Sequence, residues 1–122
     1  MGNRHGIILF GHGARDPRWA EPFERLAAKL RGMGREPVAL AFLELMTPGL
    51  PDAISAMAAD GCDGVTVVPV FFGQGGHVRR DLPEIIEQCQ AMYPGVEIRC
   101  AVAVGEDEGV LDAIAEYCRR QG

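Results

Sequence analysis

Apolar runs alternate along this chain with polar segments whose hydrophobic residues recur at helical spacing. Residues 6–10 are continuously apolar and stop at Gly11-His12-Gly13, the pattern of a strand buried on both faces. A helix is predicted to follow, capped by Asp16, with Pro17 at its first position and Ala20, Phe23, Ala27 and Leu30 on one face until Gly32 or Gly34 stops it. Residues 38–43 read as a second strand. Thr47-Pro48 then opens a helix carrying Leu50, Ile54 and Met57, with Thr47 as its cap, and residues 61–64 form the return turn. A third strand starts at Val65, and regular pairing is expected to weaken at Pro69, which has no N–H for a ladder. Asp81 and Glu84 have the spacing of a capping box and predict a helix bearing Ile85, Ile86 and Cys89. Residues 96–102 supply a fourth strand, against which a last helix over about 107–119 is expected to pack Val110, Leu111, Ile114 and Cys118.

Four strand–helix alternations predict an α/β fold: a doubly wound, four-stranded parallel sheet in the order 2-1-3-4 with helices on both faces. With 122 residues and 48% hydrophobic content, the chain is expected to form a single domain, residues 1–122, with one core. Such sheets bind ligands beyond the carboxyl ends of their strands, where the order reverses, here between strands one and three.

That rule selects the candidate chemistry. His12 follows the first strand, Glu44 ends the second and His77 follows the third, so two imidazoles and a carboxylate stand at one end of three neighbouring strands about 4.8 Å apart. Each histidine adjoins glycine, which lets backbone approach a ligand closely. The two loops share an H-x-x-R-D pattern, His12 to Asp16 and His77 to Asp81, in which Asp caps the next helix and arginine can face an anion.

Other readings fail on position. Arg4-His5-Gly6 spells the triplet of histidine phosphatases but precedes the first strand, about 15 Å from the crevice. Gly73-Gln74-Gly75-Gly76 would need glycine at Val78 to complete a dinucleotide fingerprint, and no Walker or H-E-x-x-H motif occurs.

Charge narrows the partners. A formal charge of −5 speaks against nucleic acid, which needs a basic patch, and no apolar stretch reaches the roughly 20 residues of a membrane span. The start of the chain lacks the features of a secretory signal, so a cytoplasmic protein is expected. Cys62, Cys89, Cys100 and Cys118 form no CxxC pair and read as reduced, small hydrophobes. The 12 basic residues are arginines except for Lys29.

Three blocks, Gly11-His12-Gly13-Ala14-Arg15, Phe42-Leu43-Glu44-Leu45 with Pro48, and Val67-Val68-Pro69-Val70-Phe71-Phe72 leading to Gly76-His77 and Arg80-Asp81-Leu82-Pro83, resemble the small, single-domain sirohydrochlorin chelatases, the CbiX-like class II chelatases of cobalamin and sirohaem biosynthesis. The resemblance runs through nearly the whole chain. It implies insertion of a divalent metal, Co²⁺ foremost and Fe²⁺ or Ni²⁺ in related members, into sirohydrochlorin, with release of two protons. The metal would be a substrate, and no permanently bound cofactor is implied. His12 would be metal ligand and proton acceptor, His77 the second ligand, and Glu44 a third ligand or a proton relay. Phe72, Gly73, Gln74, Gly75 and Gly76 would line the tetrapyrrole, whose carboxylates Arg15, Arg79 and Arg80 are candidates to hold. Many relatives carry a second acid where this chain has Thr47. Larger members hold two copies of the fold around one cleft, so a homodimer is implied. The same ligands would also serve a metal or tetrapyrrole carrier without turnover, and a metal-dependent hydrolase is a second alternative.

Overall fold

The computed structural model describes residues 4–73 and 75–122, with the backbone alone for residues 76–79. Four strands, β1 (His5–Gly11), β2 (Val38–Phe42), β3 (Gly64–Pro69) and β4 (Glu97–Cys100), alternate with four helices, α1 (Glu21–Arg31), α2 (Leu50–Ala59), α3 (Gly76–Met92) and α4 (Glu108–Gln121). The sheet is parallel throughout and ordered β2-β1-β3-β4, as predicted.

The central strand explains why the apolar runs are continuous. β1 pairs on both sides, and its alternate side chains enter two separate layers. Ile8 and Phe10, both 0% exposed, join Leu50, Ile54 and Met57 of α2, Leu82 and Cys89 of α3, and Val65 and Val67 of β3. On the other face Leu9 meets Ala27 of α1 and Val38, with Leu30, Leu40, Val68 and Val70 around them. No buried side-chain polar atom among the described residues lacks a partner.

Helix ends differ from the sequence expectation in instructive ways. Asp16 does cap the segment after β1, accepting from the Arg18 N–H at 2.9 Å, but that first turn (Pro17–Ala20) is 3-10 and the α-helix starts at Glu21. α2 starts at Leu50 behind Gly49, so Thr47 caps nothing, and the Thr47–Pro48 peptide is cis. α3 begins at Gly76 rather than at Asp81, and Asp81 and Glu84 lie inside it together with Pro83. The H-x-x-R-D parallel therefore does not extend to capping: Asp16 caps, Asp81 does not.

β4 is shorter than predicted because of Pro69. The Ala101 N–H donates to the Val67 carbonyl at 2.9 Å, and the next ladder bond toward β4 would require the N–H that Pro69 lacks. On its other side the Val70 N–H still reaches the Phe10 carbonyl at 2.8 Å, so β3 stays joined to β1 past the end of the strand.

α4 forms behind its predicted cap, Asp107, which accepts from the Val110 N–H at 3.1 Å. The expected burial of Val110, Leu111, Ile114 and Cys118 is not found, since none of its residues is buried. It meets the rest of the fold through the 3-10 turn Val104–Glu106 and a cleft shared with the end of β3. The cysteines are all free; Cys62 and Cys89 are buried as expected, whereas Cys100 and Cys118 are exposed. No described helix is long and apolar enough to cross a membrane.

Phe10 fills the layer between the central strand and α2/α3, so Phe10→Ala should lower unfolding free energy by about 3–5 kcal/mol in urea titration. A loss below about 1 kcal/mol would show that this layer does not hold the sheet.

Candidate metal centre

The β1–β2 ladder does not stop where the strands do. Beyond the last register pair, Gly11 with Phe42, the Leu43 N–H donates to the Gly11 carbonyl at 2.9 Å and the Glu44 N–H to the His12 carbonyl at 3.1 Å. Two loops that would ordinarily diverge are thus held edge to edge by backbone. Between them Gly13 sits at φ +101°, and a Cβ there would lie 1.8 Å from the Glu44 carbonyl oxygen. Only glycine permits that approach.

The side chains follow the backbone. His12 Nε2 lies 3.2 Å from Glu44 Oε2, and both side chains are about half exposed, at 45% and 48%. They are therefore held in place yet open to an incoming ion. The loop carrying Glu44 is closed at its base by the Phe42 N–H donating to the Pro48 carbonyl at 2.9 Å, and it reverses through Leu45, a non-glycine residue at φ 67°. A left-handed leucine is strained, and here the strain falls next to a candidate ligand. Beneath His12, Trp19, Phe23 and Phe42 pack around Gly11 with ring centroids 4.8 to 6.2 Å apart, leaving no room for a side chain on that glycine.

His77 belongs to the first turn of α3, which follows β3, the other neighbour of β1. The backbone thus brings the three predicted ligands to one end of adjacent strands; the His77 side chain lies outside the described residues. Among the described residues no set of three histidine, cysteine or carboxylate side chains closes on one point. His5 is at the opposite end of β1, bonded through Nε2 to Thr66 Oγ1 at 2.7 Å, and so takes no part.

The remaining candidates are more dispersed. Phe72 is 67% exposed, and Gly73 and Gly75 are exposed on the path into α3. Gln74 and the side chains at Gly76 and Arg79 lie outside the described residues. Arg15 and Arg80 are exposed. Arg18 is not available to the crevice, since it is bound to Asp16 at 2.7 Å and holds that carboxyl below its usual range.

The family profile of CbiX matches residues 6–121. The chain belongs to the CbiX family. A CbiX protein described under cobalamin (vitamin B12) biosynthesis, from Marinobacter aquaeolei VT8, superposes with a TM-score of 0.85 at 36% identity, covering 96% of each chain. SirB from Bacillus subtilis, solved with Fe³⁺, superposes with a TM-score of 0.81 at 27% identity over 98% of this chain but only 48% of its own. Among curated proteins, the sirohydrochlorin cobaltochelatase of Methanothermobacter thermautotrophicus is 37% identical over 81 residues, 57% of its own length. That of Saccharolobus solfataricus is 32% identical over 117 residues, 91% of its length.

Within this CbiX fold, one part of the site was not anticipated. A cleft of about 310 Å³ opens beside Glu44, lined by Leu43, Glu44, Asp81, Glu84, Ile85 and Gln88. Asp81 and Glu84 had the spacing of a helix start, and that signal concealed their place on the inner turns of α3 facing this cleft. Leu45 and Gly13 likewise shape the site; Gly13 was visible only as a histidine's neighbour, and nothing in the sequence marks Leu45 for a positive φ.

Gly13→Ala should force the His12 and Glu44 loops apart while leaving the sheet intact. Divalent cobalt affinity, measured by titration calorimetry, is expected to fall by about tenfold or more, with stability reduced by roughly 1–3 kcal/mol. Unchanged affinity would show that this backbone contact does not set the site.

Proposed function

We propose that this protein is a sirohydrochlorin chelatase that inserts a divalent metal, Co²⁺ foremost and Fe²⁺ or Ni²⁺ as alternatives, into the macrocycle with release of two protons. One observation carries the reading: an imidazole and a carboxylate 3.2 Å apart, locked by backbone at the carboxyl edge of the sheet, beside the helix turn that bears a second histidine. The names of the curated relatives and the metal-bound SirB structures support it.

Metallation requires that an ion shed water while pyrrolic nitrogens lose protons. Nitrogen and oxygen donors of borderline character bind Co²⁺, Fe²⁺ or Ni²⁺ without the tenacity of thiolates, so the ion can be passed on. In this reading His12 and His77 hold the entering metal, and Glu44 is a third ligand or relays a proton. Once the metal has left it for the ring, His12 accepts the two pyrrolic protons in turn and passes each to water, and the adjoining Glu44 carboxylate stabilises the imidazolium formed each time. The half-exposure of both groups keeps the proton's way to water open.

The flat macrocycle would lie over the segment 72–76, where Phe72 offers an exposed ring and the glycines add no side-chain bulk. Arg15, Arg79 and Arg80 would bind its peripheral carboxylates, offsetting at short range the repulsion from a protein of net charge −5. The protein would work as a cytoplasmic homodimer. The SirB chain, of which this fold covers 48%, supports a second copy as the other wall of the cleft.

Mixing the protein with sirohydrochlorin and Co²⁺ and following the absorbance of the metallated product tests the reading. A rate above the protein-free control is expected, and His12→Ala should lower it by about 10²-fold or more with the far-ultraviolet circular dichroism unchanged. Cobalt binding with a metallation rate equal to the control would make the protein a carrier.

A further inference from the structure

The leucine beside Glu44 occupies its position at a conformational cost. Leu45 adopts φ 67°, whereas the other positive-φ positions among the described residues, Gly13 and Gly61, are both glycine. A bulky side chain in the left-handed region crowds its own backbone, and glycine would make the same reversal freely. What leucine adds here is therefore its side chain.

That side chain does not hold the fold together. Leu45 is 56% exposed and belongs to neither core layer. Its loop is fixed by backbone instead, through the Leu43 and Glu44 N–H groups donating to Gly11 and His12 and the Phe42 N–H donating to Pro48. A large apolar group is thus kept in water, in a strained conformation, one residue from a candidate metal ligand. Strain of this kind gathers at ligand clamps, where the surrounding structure enforces it.

A second exposed apolar group stands across the site. Phe72 follows β3 as Leu45 follows β2, and β1, which leads directly to His12, runs between those strands. Two strand spacings, about 10 Å, separate the paths of β2 and β3. The Phe72 segment is also fixed by backbone: the Gly105 N–H donates to the Phe71 carbonyl at 3.1 Å, and a Cβ at Gly105 would collide with the Phe72 Cα. Two apolar groups on fixed segments thus flank the histidine.

We infer that Leu45 is a substrate-binding residue: its side chain packs on the tetrapyrrole on the β2 side, across the site from Phe72, and so centres the ring over His12. The inference rests on the chelatase reading above and adds to it the means by which the ring is placed. Ion pairs between exposed arginines and peripheral carboxylates are screened and tolerant of position, so they do not centre a ring. Apolar contact at two fixed points does.

Leu45→Asn separates the contact from the conformation, since asparagine accepts a left-handed backbone but offers little apolar surface. Metal-free sirohydrochlorin, titrated with the protein and followed by absorbance, should bind Leu45→Asn about tenfold more weakly than the unaltered chain, and Leu45→Met should recover most of that loss. Cobalt affinity by calorimetry and the midpoint of urea unfolding should not fall in Leu45→Asn. Unchanged macrocycle affinity overturns the contact, as does a loss that Leu45→Met fails to reduce. A loss accompanied by weaker cobalt binding or a lower midpoint also overturns it, and makes Leu45 a prop of the Glu44 loop. Macrocycle binding without metallation by the unaltered protein overturns the chelatase reading alone, and the Leu45→Asn titration still decides the contact. No macrocycle binding by the unaltered protein overturns both.

Discussion

The site depends on parallel pairing carried past the ends of two strands. Parallel ladders usually lose their hold where the strands end, because each chain then turns toward a different helix. Here Gly11 and His12 go on accepting from Leu43 and Glu44, so the positions of the candidate ligands are set by the hydrogen bonds that also align the sheet. The geometry is inherited from backbone, which is stiff, rather than from two exposed side chains, whose attraction across 3.2 Å is screened by water and worth little alone. The aromatic packing under Gly11 and the closure of the loop at Phe42 and Pro48 hold the two strand ends to that path.

The far half of the sheet is built on the opposite plan. Pro69 ends the β3–β4 ladder, β4 is short, and the chain beyond it departs into a turn and an unburied helix. A fold of this size removes a smaller share of its surface from water than a larger one, so an uncovered sheet face and an uncovered helix are costly.

Much of this was legible in the sequence. The apolar runs at 6–10 and 38–43 located strands whose order follows from alternation and handedness, and from those His12 and Glu44 could be placed at one edge. What failed did so for definite reasons. Asp81 and Glu84 mimic a capping box, but the backbone was already helical from Gly76, behind a glycine cap that carries no side-chain signal. The first turn after Asp16 is 3-10, which the Asp-Pro signature fits as well as it fits α. For α4 the periodicity correctly gave an apolar face, but periodicity cannot say whose surface covers it.

Gly13 has a consequence for how this site can change. Any other residue at that position must take up a left-handed backbone and displace the Glu44 carbonyl, so the position is effectively closed to substitution. Sliding β2 along β1 offers no finer control, because register shifts come in whole residues and a single step turns every side chain to the other face. The spacing between the two loops is therefore discrete: it is kept or it is lost. Gradual adjustment toward one metal or another is left to the rotamers of His12 and Glu44 and to whatever third donor approaches from outside the ladder.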